Sequence, residues 1–320
     1  MSNAQTPAVG NVSVRRLAKA DLDRVVEIDQ AITGQSRRGF FENRLAVSLT
    51  EPAAFISLAL LEGEKILGFA LAHILDGEFG GRHPAAVIDA IGIDKVGRGH
   101  GGAHALLREL QVAARGRGAH SLRTQIAWPD EGIMHFFGLA GFKLGTRIVL
   151  ERPTAKQPGE QRAGEDTGGG QDLSEDRVAV RSLASSDLPR VIGIDRDITG
   201  RDRSVYFKRK AADAMRKNGV RLSMVAEVDE TPAGFIMARV DYGEFGQAET
   251  EAVLDTIGVD AEFAGQDVGT RLVGELLTQL ANLRVERVRT IVEWNNAALI
   301  AFLDRLGFRP TQNLTLALAL

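Results

Sequence analysis

The sequence repeats itself once, with a constant offset of 166 residues from Val12 to Val178. The segment 12–34, VSVRRLAKADLDRVVEIDQAITG, returns at 178–200 as VAVRSLASSDLPRVIGIDRDITG. The same offset relates later pairs, among them Gly77–Gly80 with Gly243–Gly246, Asp89 with Asp255, and Trp128 with Trp294. This unit is much longer than the roughly 20–50 residues of a solenoid repeat, so each copy is predicted to be a whole domain.

The segment between the two copies has a different composition. Residues 153–177, PTAKQPGEQRAGEDTGGGQDLSEDR, are rich in Gly, Glu and Gln and contain almost no large apolar side chain. Such a segment buries too little surface to offset the entropy of ordering it, which predicts a flexible linker. The sequence therefore predicts a first domain at 11–152, a linker at 153–177 and a second domain at 178–320.

Composition excludes several classes of protein. The chain has 320 residues, of which 44% are apolar and 25% charged, as in ordinary globular proteins. A net charge of −3 gives no field that favours nucleic acid or an anionic membrane, and neither is expected as a partner. The absence of cysteine excludes disulfides, thiolate metal sites and a cysteine nucleophile. We predict no metal site and expect a cytoplasmic location.

Each copy alternates between strand and helix patterns in the order β-α-α-β-β-β-α-β-α-β-β, which predicts an α/β fold. Within the first copy, the strand 85–93 runs into the glycine-rich segment Arg98-Gly99-His100-Gly101-Gly102-Ala103, and a helical pattern follows. A glycine turn at a helix N-terminus directs several backbone N–H groups to one point, where the helix dipole favours an anion. The sequence therefore predicts a phosphate-binding loop, although a simple helix start is an alternative.

This loop, the order of elements and the segment Phe137–Phe142 with its counterpart Leu303–Phe308 resemble the GCN5-related N-acetyltransferase (GNAT) superfamily. The resemblance covers both copies almost end to end. It implies tandem GNAT-like domains, each a mixed, mostly antiparallel central sheet flanked by helices, arranged as a pseudo-dimer. It also implies acetyl-CoA as co-substrate. Its pantetheine arm would pair with the strand before the loop, at Ile91, Gly92 and Ile93 in the first copy and at Ile257, Gly258 and Val259 in the second.

The two copies differ at the residues that the resemblance makes important. The second loop reads Ala264-Gly265-Gln266-Asp267-Val268-Gly269, so Asp267 replaces the central Gly101 and adds a carboxylate beside the expected pyrophosphate. We therefore expect acetyl-CoA mainly in the first copy. Conversely, Asn296 stands where the superfamily often has an asparagine before the last helix, and the first copy has Asp130 there, which is also a natural N-cap. The superfamily's tyrosine acid is replaced by Phe137 and Leu303.

Acetyl transfer to an ammonium requires a base, and four carboxylates are candidates. Asp89 and Asp255 lie inside apolar strands, where a carboxylate is costly unless it faces a polar site, the alternative being a structural aspartate with satisfied hydrogen bonds. Glu78 and Glu244 lie in the repeated Gly-Glu-Phe-Gly segment near the expected acceptor cleft, the alternative being an ordinary turn.

A second repeated motif follows the first helix. It contains Asp29, the tripeptide 32–34 and Arg37, and it returns as Asp195, 198–200 and Arg203. In the superfamily this region shapes the acceptor pocket. The alternative is that both copies keep the motif because both need it to fold.

The function predicted is transfer of an acetyl group from acetyl-CoA to an amine by direct attack. The acceptor is a small-molecule or peptide amine, and the chain is expected to be a monomer with an intramolecular pseudo-dimer. The alternative is a non-catalytic acyl-CoA sensor or interaction module. Nucleotide binding through the glycine-rich loop is a third alternative, against which the chain has no Walker lysine pattern and no dinucleotide-type glycine spacing after the first strand.

Overall fold

The computed structural model describes residues 12–75, 83–99, 101–155, 177–214, 221–242 and 250–320. They form two mixed sheets of seven strands each, flanked by helices, as the repeat predicts. In the described ranges, no helix combines the length and apolar character needed to cross a bilayer.

The first repeat contains the strands β1 to β7 and the helices α1 to α4. The strands are β1 (Val12–Arg16), β2 (Phe55–Glu62), β3 (Lys65–Leu75), β4 (Ala85–Ile93), β5 (Ser121–Ala127), β6 (Lys143–Leu144) and β7 (Arg147–Pro153). The helices are α1 (Leu22–Thr33), α2 (Arg38–Thr50), α3 (Gly102–Arg115) and α4 (Glu131–Leu139). This order matches the alternation predicted from the sequence.

The second repeat follows the same plan. Its strands are β8 (Val178–Ser182), β9 (Arg221–Val228), β10 (Thr231–Tyr242), β11 (Thr250–Val259), β12 (Arg287–Glu293), β13 (Arg309–Pro310) and β14 (Asn313–Ala319). Its helices are α5 (Leu188–Thr199), α6 (Ser204–Ala214), α7 (Val268–Asn282) and α8 (Ala297–Arg305).

The two repeats exchange their last long strands. The first sheet has the order β1-β2-β3-β4-β5-β14-β6, and the second β13-β7-β12-β11-β10-β9-β8. Strand β14 pairs antiparallel with β5 from Asn313↔Ala127 to Ala319↔Ser121, and β7 pairs antiparallel with β12 from Arg147↔Glu293 to Pro153↔Arg287. Residues 147–152, which the sequence repeat assigns to the first unit, thus lie in the sheet of the second.

The exchange also joins the hydrophobic cores. Ile148 and Leu150 of β7 are buried in the core that α7 covers, and Leu316 of β14 is buried in the core that α3 covers. The chain crosses from β6 to β7 at Gly145, where an added Cβ would lie 2.7 Å from Oγ1 of Thr315. Because each core contains side chains from both repeats, neither repeat buries its apolar surface alone.

Candidate functional site

The candidate site lies where β4 separates from β5. The two strands pair in parallel only over Ala85–Val87 and Ser121–Arg123. Beyond Val87, β4 continues to Ile93 while keeping β3 as its partner on the other side. In the described part of the chain, the β5-facing edge of Ile91, Gly92 and Ile93 therefore has no strand partner, and its backbone groups remain available to a ligand.

This edge forms one wall of a cleft of about 640 Å³, a volume that suits a cofactor-sized ligand. The rest of the wall comes from the loop after β4, the first residues of α3, and α4. The cleft is lined by predicted residues, namely Ile91, Gly92, Ile93, Arg98, Gly99, Gly101, Gly102 and Ala103, together with Ile32, Gly97, His104, Gly132, Ile133, Phe136 and Phe137. His100 lies outside the described residues, so its predicted role is untested.

The N-terminus of α3 opens into this cleft. Gly101 is the N-cap in the left-handed region (φ 76°), and Gly99 has φ 83°. Neither glycine has another atom within 4 Å of the place where a Cβ would lie. The first intrahelical hydrogen bond runs from the N–H of Ala105 to the carbonyl of Gly101, which leaves the preceding N–H groups of the first turn without an intrahelical acceptor. This geometry favours an anion.

Two close contacts explain the glycines behind this surface. A Cβ on Gly92 would lie 2.8 Å from Cε1 of Phe69 and 3.0 Å from Cδ1 of Ile32. A Cβ on Gly102 would lie 2.5 Å from Cδ2 of Leu60. Ile32 is exposed, and its Cδ1 lies against Gly92 in the wall of the cleft, so the repeated tripeptide 32–34 contributes an apolar contact.

An ion pair holds the start of the loop against α1. The guanidinium of Arg24 binds Asp94 and also donates to the carbonyl of Ile66. The pKa of Asp94 is lowered, first by the hydrogen bond from the N–H of Val96 and then by Arg24. Arg190 and Asp260 form the same pair in the second repeat. This repeated contact fixes where the strand ends and the loop begins.

The second repeat has the same backbone but different side chains. Strands β11 and β12 pair in parallel only over Glu251–Val253 and Arg287–Arg289, so the edge that includes Ile257 and Val259 separates in the same way. Asp267 takes the place of Gly101 at the N-cap of α7, with φ 57°, and its side chain is exposed.

Two residues near the second loop have counterparts in the first repeat, Phe302 in Phe136 and Asn296 in Asp130. The ring of Phe302 lies 3.0 Å from the position of a Cβ on Gly269, over the first turn of α7. Asn296 is the N-cap of α8, accepting a hydrogen bond from the N–H of Leu299, and Asp130 caps α4 in the same way through Ile133. The predicted capping role of Asp130 is confirmed, and Asn296 has the same structural task.

The two strand aspartates are buried in ion pairs. Asp89 has a side chain that is 1% exposed; it binds Nδ1 of His73 at 2.7 Å and lies 3.4 Å from Nε of Arg44. Asp255 binds Lys210 at 2.8 Å and also Arg239. Asp89 does not line the cleft of its repeat. This placement matches the structural alternative for both residues, and their catalytic role stays a prediction.

Two further pairs of predicted carboxylates remain, the base candidates Glu78 and Glu244 and the aspartates of the motif after the first helix. Glu78 and Glu244 lie outside the described residues, so the structure does not place them. Asp29 forms a buried, two-contact ion pair with Arg37, and Asp195 forms the same pair with Arg203. Retention of this motif in both repeats therefore has a structural explanation.

Sequence reasoning missed the part of the cleft that α4 contributes. Ile133 and Phe136 line it on one side, and the half-exposed ring of Phe136 makes an edge contact with His104. Phe137, at the position of the superfamily's tyrosine, is 2% exposed, and its counterpart Leu303 is fully buried. The apolar i, i+3, i+4 pattern of α4 could have indicated that this helix lines the cleft. The same pattern is also typical of an ordinary core helix.

Comparison with known families and structures gives a consistent result. Residues 22–142 and 188–308 each match the family described as "Acetyltransferase (GNAT) family". The sequence matches none of the curated proteins. A tandem GNAT protein from the clavulanic acid biosynthesis pathway, solved without AcCoA, superposes with a TM-score of 0.63 at 16% identity, covering 96% of this chain and 98% of that one.

Two other solved structures share the fold. A GCN5-related N-acetyltransferase from Sphaerobacter thermophilus has a TM-score of 0.61 at 14% identity, covering 96% of this chain and 95% of that one. The GCN5-related glucosamine N-acetyltransferase region of a fungal multi-domain GH3 beta-N-acetylglucosaminidase has a TM-score of 0.65 at 13% identity and covers 97% of this chain. The chain spans 38% of the length of that fungal protein.

Proposed function

The chain belongs to the GNAT acetyltransferase family, and on that basis we propose that it transfers an acetyl group from acetyl-CoA to an amine. The observation that carries the proposal is the cleft of the first repeat, which joins the free edge of β4 to the N-terminus of α3. The acceptor in this proposal is a small-molecule or peptide amine, and the chain acts as a monomer in the cytoplasm.

The cleft offers two kinds of contact that suit this co-substrate. Along Ile91, Gly92 and Ile93, the backbone groups that face β5 have no strand partner among the described residues, and they suit the amides of a pantetheine arm. The N–H groups at the start of α3, the glycines Gly99 and Gly101, and the exposed guanidinium of Arg98 suit a pyrophosphate. The bound thioester would supply the acetyl group.

A base must remove a proton from the acceptor ammonium before the amine attacks. We propose Glu78 for this role, because it follows β3 in the repeated Gly-Glu-Phe-Gly segment. Asp89 is the second candidate, acting only through His73, since its own carboxylate is buried. With Phe137 at the position of the superfamily's tyrosine, we propose that water protonates the leaving thiolate.

The two repeats are proposed to be unequal. Asp267 adds a carboxylate at the N-terminus of α7, where it competes with an anionic ligand for the same helix dipole. The first repeat keeps glycine there. One strong acetyl-CoA site per chain follows, and Ile257, Val259, Gly269 and Asn296 would belong to a weaker second site.

The alternative is a non-catalytic acyl-CoA-binding module. The buried, apolar Phe137 and Leu303 favour it, because neither repeat offers a phenol at the position of the superfamily's acid. The two functions make different predictions for turnover, although both require acetyl-CoA binding.

The deciding experiment measures binding and turnover together. Titration calorimetry with acetyl-CoA gives the number of sites, and free thiol release across a panel of amines gives the activity. We expect one strong site and thiol release with at least one amine. Binding without turnover on any amine would support the module, and a chain that does not bind acetyl-CoA would exclude both functions.

A further inference from the structure

His104 is a residue of the cleft on β4 and α3 to which the proposed function gives no role. It lies in the first turn of α3, shortly after the N-cap Gly101, and its exposed side chain lines the cleft. Among the described residues that line the cleft, Arg98 is the only other one that can carry a charge, and none is Asp or Glu. The groups of this wall that can carry a charge are therefore all basic.

Helix geometry directs this imidazole toward the expected anion site. In an α-helix each Cα–Cβ bond tilts toward the N-terminus, so a side chain covers the turn that precedes its own Cα. For His104 that turn begins at Gly101 and contains the N–H groups that have no intrahelical acceptor. An edge contact with Phe136, at 5.3 Å between the ring centroids, holds the imidazole on the side of α4. The imidazole and the free N–H groups thus share one end of the cleft.

The second repeat lacks this imidazole. The constant offset places Thr270 at the position of His104, and Asp267 at the position of Gly101. The first repeat therefore has a group that can gain a positive charge where the second has a hydroxyl, and it has no side chain where the second has a carboxylate. Both differences favour an anion in the first repeat. Because Thr270 fits the same position of the same fold, the fold does not require a histidine there.

We propose that His104 binds the pyrophosphate of the co-substrate as an imidazolium, so that the affinity of the first site depends on pH. The inference rests on the proposed function, since acetyl-CoA supplies the pyrophosphate. A protonated imidazole donates hydrogen bonds from both nitrogens, whereas the neutral ring donates only one. Charge-assisted hydrogen bonds are also about twice as strong as neutral ones. The bound anion therefore favours the protonated ring.

The sign of the pH dependence follows from this preference. At low pH the ring is already protonated and the affinity is highest. As the pH rises through the range in which imidazoles titrate, the anion must bring a proton with it, and the affinity falls. Binding in that range takes up a proton from the buffer, which is a signature that a purely structural role of His104 does not produce.

Other charged groups lie on the elements that form the cleft around His104, namely Asp94, Lys95, Arg98, Arg108, Glu131 and His135. Carboxylates, lysines and arginines as classes keep their charge across the neutral range, so His135 is the one among them that resembles His104 in its titration. His100 is a further imidazole of the loop, outside the described residues. The test must therefore separate three histidines.

Calorimetry with the full chain and acetyl-dephospho-CoA tests the proposal. This probe keeps the pyrophosphate, the pantetheine arm and the thioester, but it lacks the 3′-phosphate, a monoester that itself titrates at about pH 6. We expect the parent to bind at least about tenfold more tightly at about pH 6 than at about pH 8.5. At about pH 7.5, titrations in two buffers of different ionisation enthalpy should show uptake of a proton. A pH dependence that appears only with intact acetyl-CoA would overturn the assignment to the pyrophosphate.

His104→Thr, which copies the second repeat, is the decisive variant. At about pH 6 it should bind the probe at least about tenfold more weakly than the parent, and its affinity should no longer change with pH. His104→Arg keeps a positive charge that does not titrate, so it should bind tightly at both pH values without taking up a proton. His135→Thr is the matched control on α4 and should keep the pH dependence of the parent. Circular dichroism checks that each variant is folded.

The outcomes separate this inference from the proposed function. A pH dependence that persists in His104→Thr would overturn the inference and assign the proton to another group, such as His100. Its loss in His135→Thr alone would overturn the inference in favour of that residue. Free thiol release with acetyl-CoA and an amine tests the transferase activity separately. Turnover with a pH-independent affinity keeps the activity and removes the role of His104, and pH-dependent binding without turnover does the reverse.

Discussion

Leu60 of β2 and Gly102 of α3 touch so closely that a Cβ on Gly102 would lie 2.5 Å from Cδ2 of Leu60. The second repeat has Ala226 and Val268 at these two positions, both buried. The larger side chain is thus on the strand in one repeat and on the helix in the other. Both arrangements fill the same space between sheet and helix, as close packing requires.

Because the larger side chain moves from strand to helix between the repeats, substitutions at positions 60 and 102 should be coupled. Gly102→Val alone should destabilise the chain by about 1–3 kcal/mol through overpacking, and Leu60→Ala alone by about 2–5 kcal/mol through a cavity. The double variant should recover a large part of the loss. Urea unfolding of the parent, the single variants and the double variant measures the coupling, and simple additivity would show that the two positions do not share one space.

Gly101→Asp should weaken acetyl-CoA binding by at least about tenfold, which is roughly 1.4 kcal/mol. The carboxylate opposes a pyrophosphate at the helix N-terminus. The fold should survive, because Asp267 already occupies the equivalent left-handed N-cap. Calorimetry gives the affinity and circular dichroism the fold. Asp267→Gly is the matched variant and should strengthen the second site; parent-like binding by Gly101→Asp would exclude this loop from the site.

Glu78→Gln should lower kcat/KM by roughly 10²-fold, the usual scale for loss of a general base. The amide keeps the size of the side chain but accepts no proton, so acetyl-CoA affinity should not change. Glu244→Gln, at the equivalent position of the second repeat, is the control and should retain activity. A fully active Glu78→Gln at neutral pH would show that another group is the base.

Asp89→Asn should act on stability more than on chemistry. The substitution removes the charge that Arg44 and His73 share in a buried cluster, and breaking such a buried pair typically costs about 3–5 kcal/mol. Asp255→Asn should cost a similar amount, since Lys210 and Arg239 lose the same partner. Urea unfolding measures both. A stable Asp89→Asn with a strongly lowered kcat would instead assign the carboxylate to proton transfer through His73.

Cutting the chain between the repeats should leave the halves together. A protease site introduced within 156–176 breaks the covalent link, but β7 and β14 each still pair over seven residues with the other half. Size-exclusion chromatography should show one complex with the mass of a single chain. Halves that separate without unfolding would contradict the exchange, because each half would then have completed its own sheet.

The sequence alone determined the repeat, the order of strands and helices, and the position of the glycine turn. These features are local or periodic: the spacing of apolar residues defines helix and strand, and Gly99 and Gly101 adopt backbone angles that favour glycine. The internal repeat also exposed the difference between Gly101 and Asp267, since each copy serves as a reference for the other.

Tertiary structure decided which sheet each last strand joins, and that choice is invisible in the sequence. Residues 147–153 and 313–319 have similar strand patterns, and two copies of one fold offer each strand two nearly equivalent sheets, so local pattern cannot distinguish them. The same holds for the ion pairs of Asp89 with Arg44 and His73. Their partners come from separate strands and helices, and only folding brings those groups within contact distance.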